Sequence, residues 1–163
     1  MCYIQLYFFM KITIISTNHK LPNWINEGIK DFTSRLTNWQ IHVIELKPSL
    51  KLSAIERMQI EAKNIEKNLQ NLNKSILICL DEKGKSLTTC EFSQKIDLWQ
   101  QQFSNICFVI GGADGIYSEL KQKASFLLQL SPMTLPHSFA KLILTEQIYR
   151  VWSILNNHPY HRV

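Results

Sequence analysis

The chain has no C-x-x-C pair, no G-x-G-x-x-G fingerprint, no G-x-S-x-G elbow and no apolar run near the ~20 residues of a membrane span. The missing fingerprint argues against a dinucleotide-binding Rossmann domain and the missing elbow against a hydrolase, and no run is long enough for a helical membrane span. The four cysteines, Cys2, Cys79, Cys90 and Cys107, are scattered, and two fall inside apolar, strand-like runs. That usage is expected of buried, reduced thiols in a cytoplasmic protein. Repeats, low-complexity tracts and linkers are also missing, so the 163 residues make one compact domain with one site per subunit. Met1 to Phe9 is apolar but lacks the basic start, the length and the small-residue cleavage site of a signal peptide. It reads as an N-terminal extension, or as the product of a start codon placed ahead of Met10, leaving residues 10–163 as the domain proper.

What is present begins with charge. A formal net charge of +5 and a pI near 9.0 favour a polyanionic partner, though on their own they fit many soluble proteins. The apolar pattern is more informative. Lys11 to Ser16 is a β-branched run, and Ile25, Ile29, Phe32 and Leu36 then recur at helical spacing. Gln40 to Leu46 is a second strand, and Ile55, Met58, Ala62, Ile65, Leu69 and Leu72 line one face of a second helix. Ser75 to Leu80 is almost wholly apolar, as a strand covered on both faces must be, with Asp81 to Lys85 as its exit loop. Thr88 and Glu91 have the spacing of a capping box opening a third helix. Ile106 to Ile110 is the fourth strand, Ser118 to Ala124 a short helix, and Phe126 to Leu130 the last strand. Pro136 suits the first turn of a long final helix that His158-Pro159 ends. The alternation specifies an α/β fold, a mostly parallel sheet flanked by helices. In such sheets ligands sit at the carboxyl ends of the strands, which singles out the turns after Leu80, Ile110 and Leu130.

The turn Gly111-Gly112-Ala113-Asp114-Gly115 follows a strand and precedes a helix, a setting for close backbone approach to a ligand, and equally for a plain glycine turn. The segment Leu130-Ser-Pro-Met-Thr-Leu-Pro-His137, then Glu146-Gln-Ile-Tyr-Arg150, then Pro159-Tyr-His-Arg162 adds an ordered set. With Phe108 to Gly115, Met10-Lys-Ile12 and Lys20-Leu-Pro-x-Trp24, this set resembles the RlmH type of 23S ribosomal RNA methyltransferase, a family of the SPOUT class. The resemblance covers nearly everything from Met10 to Arg162.

The resemblance implies a SPOUT α/β knot, in which the C-terminal part threads a loop as a trefoil knot, and a homodimer acting on 23S rRNA of the ribosome. It implies S-adenosylmethionine (SAM) as methyl donor, no metal, and N3 of a pseudouridine as acceptor. Carried over by position, SAM is held by Leu80, by Gly111 and Gly112, and by Leu130, Ser131, Pro132, Met133, Thr134 and Leu135. Loops with free main-chain groups beside Leu80, Leu130 and Leu135 suit a flat adenine with polar edges. Glycines 111 and 112 are expected to admit the ligand where a β-carbon would collide. His161 is the candidate base or hydrogen-bond partner, Arg162 the charge clamp and Tyr160 the stacking group, since the acceptor N3 carries a proton near neutral pH. Both His161 and Arg162 also suit simple phosphate grip.

Other residues have plainer expectations. Tyr149 and Trp152 are read as helix-packing aromatics, His137 as ordering the turn it begins, and Glu146 with Arg150 as an i,i+4 pair. His158 and His161 lack a third convergent metal ligand in the sequence. Lys141, Arg150 and Arg162 are the cations nearest the motifs and are expected to contact RNA phosphates, Lys141 standing where the family often has arginine. Two alternatives stay open: another SPOUT enzyme acting on tRNA, and a catalytically silent RNA-binding or ribosome-assembly module.

Overall fold

A computed structural model describes residues 9–51 and 53–161. Strand β1 (Met10–Thr17) leads to helix α1 (Asn23–Ser34), then β2 (Trp39–Leu46) and α2 (Ala54–Leu69). Next come β3 (Ser75–Ser86), α3 (Thr89–Gln102), β4 (Asn105–Ile110), α4 (Ser118–Lys123), β5 (Phe126–Gln129) and α5 (His137–Leu155). The five strands form one parallel sheet in the order β2-β1-β4-β3-β5. Parallel strands need long crossovers, and the helices that supply them cover both faces of the sheet.

Strand period two divides the core. Ile12, Ile14, Phe108 and Ile110 face Phe92, Ile96 and Trp99 of α3 and Leu144, Ile148 and Val151 of α5. Ile15, Cys79, Cys107 and Val109 face Ala62 and Ile65 of α2 and Leu120 of α4. Every residue of β4 is buried, as expected of the central strand, and each fully buried large apolar side chain stabilises the fold by about 1.5–3 kcal/mol. The same burial pushes the Cys79 and Cys107 thiols up to about 12, so both stay protonated, as the sequence led us to expect. Cys90 is exposed, and Cys2 lies outside the described residues.

Two boundaries depart from expectation. Asp81 to Ser86 is not a free exit loop but an extension of β3, paired with β5 through a bulge. Leu80 and Lys85 both align with Leu128. The pairing is long-range, so polar residues enter a strand because β5 offers them backbone partners. Gln129 Nε2 donates to the Glu82 carbonyl at 2.7 Å, and a β-carbon on Gly84 would meet the Leu128 backbone at 2.7 Å. Glycine alone lets the two segments cross this closely. Pro136, in turn, stands at the N-cap of α5, one residue before its first turn, with its carbonyl accepting from the amides of Phe139 and Ala140. The Thr88 and Glu91 capping box forms as read, with both reciprocal bonds present.

Candidate active site

The carboxyl ends of β3, β4 and β5 open into one cavity of about 950 Å³. Its wall includes Leu80, Gly111, Gly112, Leu130, Ser131, Met133, Thr134 and Leu135. Of the residues singled out for the cofactor, only Pro132 is absent from the wall. Ile55 and Met58 of α2, Tyr117 before α4, His137 and Ala140 of α5, and the charged Asp81, Lys83, Asp114 and Lys121 also contribute. The size matches that of small-molecule sites, apolar surfaces with a few placed polar groups. Residues 130–135 adopt neither helix nor strand, so no ladder claims their amides and carbonyls. Within this turn the Met133 amide donates to Ser131 Oγ at 2.9 Å.

The glycine turn is tighter than its sequence requires. The Gly115 amide donates to the Gly112 carbonyl at 3.0 Å, and Gly115 sits at a φ of +88°, a left-handed conformation that glycine adopts without penalty. A β-carbon on Gly111 would lie 2.6 Å from the Gly115 backbone, and one on Gly112 would lie 2.6 Å from Glu61 Oε2. Gly111 is therefore required by backbone contact within the chain, whereas at Gly112 the neighbour is the end of the Glu61 side chain.

Two of the charged side chains on the cavity wall, Asp81 and Asp114, are held in ion pairs. Lys121 Nζ donates to Asp81 Oδ2 at 2.9 Å, and the Lys83 amide donates to Asp81 Oδ1 at 2.8 Å. Burial alone would raise the Asp81 carboxyl, but these two donors outweigh it and hold the group below its ordinary range. On the opposite rim Arg57 grips Asp114 with two bonds, Nε to Oδ2 at 2.7 Å and Nη2 to Oδ1 at 2.9 Å. The Arg57 guanidinium likewise holds the Asp114 carboxyl low. These pairs tie the β3 and β4 exits to α4 and α2, while Glu82 and Lys83 also contribute to the wall.

The family model described as "Predicted SPOUT methyltransferase" matches residues 10–161. The chain belongs to the SPOUT methyltransferase family. It is 44% identical over 158 residues to "Ribosomal RNA large subunit methyltransferase H" of Ralstonia pickettii, covering 94% of this chain and 100% of that protein. A Burkholderia ambifaria protein of the same name is 43% identical over 157 residues, covering 94% and 99%. Among solved structures, a probable methylase family protein of Haemophilus influenzae superposes with a TM-score of 0.53 at 14% identity, covering 97% of this chain and 72% of that one. A second, described only as a hypothetical protein, gives 0.56 at 13% identity over 91% and 89%. Both share the fold, and this SPOUT chain is a methyltransferase by family.

Among the described residues of the C-terminal tail, Tyr160 stands apart from the cavity of its own chain. Tyr160 stacks edge-on against Tyr149, with ring centroids 4.7 Å apart, and its hydroxyl donates to Glu146 Oε1 at 3.1 Å. Arg150 lies over the Tyr160 ring at 4.8 Å and pairs with Glu146. Ala140 is the last α5 residue on the cavity wall. From there to Tyr149 the helix rises roughly 14 Å. Burial first, then the Glu146 carboxylate, raises the Tyr160 phenol, so it remains a donor. His161 is partly buried, and its Nδ1 has no partner among the described residues. Arg162 lies outside the described residues.

Tyr149 and Trp152 are buried packing aromatics, stacked on one another with centroids 5.6 Å apart, as expected. Lys141 is not an RNA ligand. Its side chain is fully buried and its ammonium donates to Glu45 Oε1 at 2.6 Å and Asn18 Oδ1 at 3.2 Å. A charge sealed under α5 cannot reach a phosphate, so the expected contact is withdrawn. His137 does not order its turn through a cap, since α5 has no side-chain cap bond and His137 Nε2 is buried without a partner among the described residues. Burial, then the nearby Lys141, lowers its pKa and favours the neutral imidazole. Glu61 and Arg57 went unnoticed in the sequence, where Arg and Glu four apart on a helix look like a surface pair.

Proposed function

We propose that this SPOUT enzyme transfers the methyl group of SAM to N3 of a pseudouridine in 23S ribosomal RNA, working as a homodimer in which each cavity is completed by the partner's tail. The observation that carries the reading is the joint geometry of cavity and tail. One chain builds the cavity from three strand-end turns and holds Tyr160 and His161 away from it.

The cavity's features fit SAM. Leu80, Leu130 and Leu135 offer apolar surface for the adenine, and the unladdered backbone of residues 130–135 offers donors and acceptors for its edges. SAM supplies an electrophilic methyl on sulfur, whose in-line transfer needs positioning more than it needs a metal. The chain's part is then to place the acceptor base and manage its proton. His161 is the group assigned to accept or share the N3 proton, Arg162 to compensate the developing anion, and Tyr160 to stack on the base. Glu146 and Arg150 keep Tyr160 oriented in the meantime.

Dimerisation has its own support. Trp24 of α1 and Phe139 of α5 pack edge-on at 5.5 Å, yet remain 52% and 41% exposed, and Met133 beside the cavity is 77% exposed. Exposed aromatics and methionine at one edge are what an interface core contains. A second copy seated there would cover this surface, and its tail is the group assigned to complete the cavity. The relatives named for the large ribosomal subunit RNA support the substrate.

Tritium-labelled SAM incubated with ribosomes from a strain lacking the enzyme tests this. Label recovered in a 23S pseudouridine is the expected result. Label in tRNA instead would favour another SPOUT specificity, and RNA binding without transfer would favour a silent assembly module.

A further inference from the structure

Two charged residues on α2 lie outside the cavity wall yet tie the glycine turn, which lines it, to the β2–α2 connection. Arg57 and Glu61 stand four residues apart on one helix face. Arg57 clamps Asp114 of the glycine turn at 2.7 and 2.9 Å, and its Nη1 donates to the Lys51 carbonyl at 2.8 Å. Glu61 is only 7% exposed. Its Oε1 accepts from the Ser49 amide at 3.1 Å, and its Oε2 occupies the space a β-carbon on Gly112 would need. The β2–α2 connection and the glycine turn are thus tied to one rigid helix. That helix also lends Ile55 and Met58 to the cavity.

We infer that Arg57 and Glu61 are positioning residues, which hold Gly112 and Asp114 in the shape that receives SAM while touching neither SAM nor RNA. The inference rests on the reading of this cavity as the SAM site. A planar guanidinium binding both oxygens of Asp114 fixes the turn in direction as well as distance. The buried carboxylate backs Gly112 from behind, so the turn has no room to relax toward α2. Because cofactor binding through main-chain groups depends on backbone placement, loosening either tie lowers SAM affinity. Chemistry at saturating SAM, governed by the tail and the acceptor, stays as it is.

The test is calorimetric SAM titration of the full-length protein, paired with kinetics on ribosomes. Arg57→Gln and Glu61→Ala are each expected to raise the SAM Kd and KM about tenfold, with kcat at saturating SAM within about twofold. Glu61→Gln, which keeps an acceptor for Ser49, is expected to recover most of the loss. So is the charge-reversed pair Arg57→Asp with Asp114→Arg relative to Arg57→Asp alone. Arg57 is a partly exposed helix-surface residue, so its variants fold, and melting temperatures check that they have. Wild-type SAM affinity in both Arg57→Gln and Glu61→Ala, or a fall in kcat with KM unchanged, would overturn the inference alone. A wild-type protein that binds no SAM would overturn the cavity reading and the inference together.

Discussion

Lys141 and Glu45 form an ion pair whose two ends are unequally exposed, so removing one end is not equivalent to removing the other. The Lys141 side chain is 0% exposed, whereas that of Glu45 is 47% exposed. In Lys141→Met the methylene volume is retained and Glu45 turns to water. What is lost is a charge-assisted bond partly screened at its outer end, about 1 kcal/mol, offset by relief of the buried ammonium, so the net change stays within about 1 kcal/mol of zero. In Glu45→Gln the ammonium stays sealed beneath α5 without a counter-charge. Breaking a buried pair this way costs about 3–5 kcal/mol, reduced to about 3 where the lysine sheds its proton. For a chain of this size each kcal/mol moves the melting temperature by about 2–4 °C. Glu45→Gln is therefore expected to melt about 6–12 °C below wild type, and Lys141→Met within about 4 °C of it. Chemical denaturation with matched m-values checks that native-state stability is what changes. Equal destabilisation, or a larger loss in Lys141→Met, would refute the reasoning, because it would mean that exposure does not set which end of the pair is dispensable.

The two glycines beside the cavity should differ. Gly111→Ala drives a β-carbon into backbone and is expected to lose about 2–3 kcal/mol, against about 1 kcal/mol for Gly112→Ala, which meets only the Glu61 carboxylate; equilibrium unfolding ranks them. Mixing an inactive His161→Ala subunit with an inactive Gly111→Ala subunit should restore activity if each cavity uses a foreign tail. Random pairing then yields intact sites at about one quarter of the wild-type number, measured by methyl transfer after subunit exchange. Burial, despite the opposing Glu45, depresses the Lys141 ammonium below its ordinary 10.5. The unfolded chain then binds the extra proton in the window below 10.5, so the stability of wild type relative to Lys141→Met should rise as pH climbs through it. A flat or falling difference contradicts that sign.

The elements were legible because their signals are local. Ile12, Ile14 and Ile15 announce a two-sided strand, Ile55 to Leu69 a helical stripe, and Thr88 with Glu91 a cap, each within a few residues. The three turns were legible from topology, since ligand sites follow strand ends in parallel sheets. What escaped was decided at long range. Asp81 to Lys85 is polar and looked like a loop until β5 supplied partners. Lys141 looked like a surface cation, because nothing nearby in sequence reveals Glu45, 96 residues earlier. The glycines at 111 and 112 were read as sites of close approach to a ligand; the long-range contacts that Gly115 and Glu61 make with them inside the chain were not visible. The tail motif was visible, and its docking against Tyr149 and Glu146, away from its own cavity, was not.

The central claim is that SAM occupies the cavity formed by the β3, β4 and β5 exits of one chain while a second chain's tail faces its methyl group. A crystal structure of the full-length protein grown with SAM tests it most directly. The adenine should lie among Leu80, Leu130 and Leu135, with Tyr160 to Arg162 of the neighbouring subunit across the sulfonium. SAM bound elsewhere, or a cavity closed by its own chain's tail in a monomer, would contradict the account.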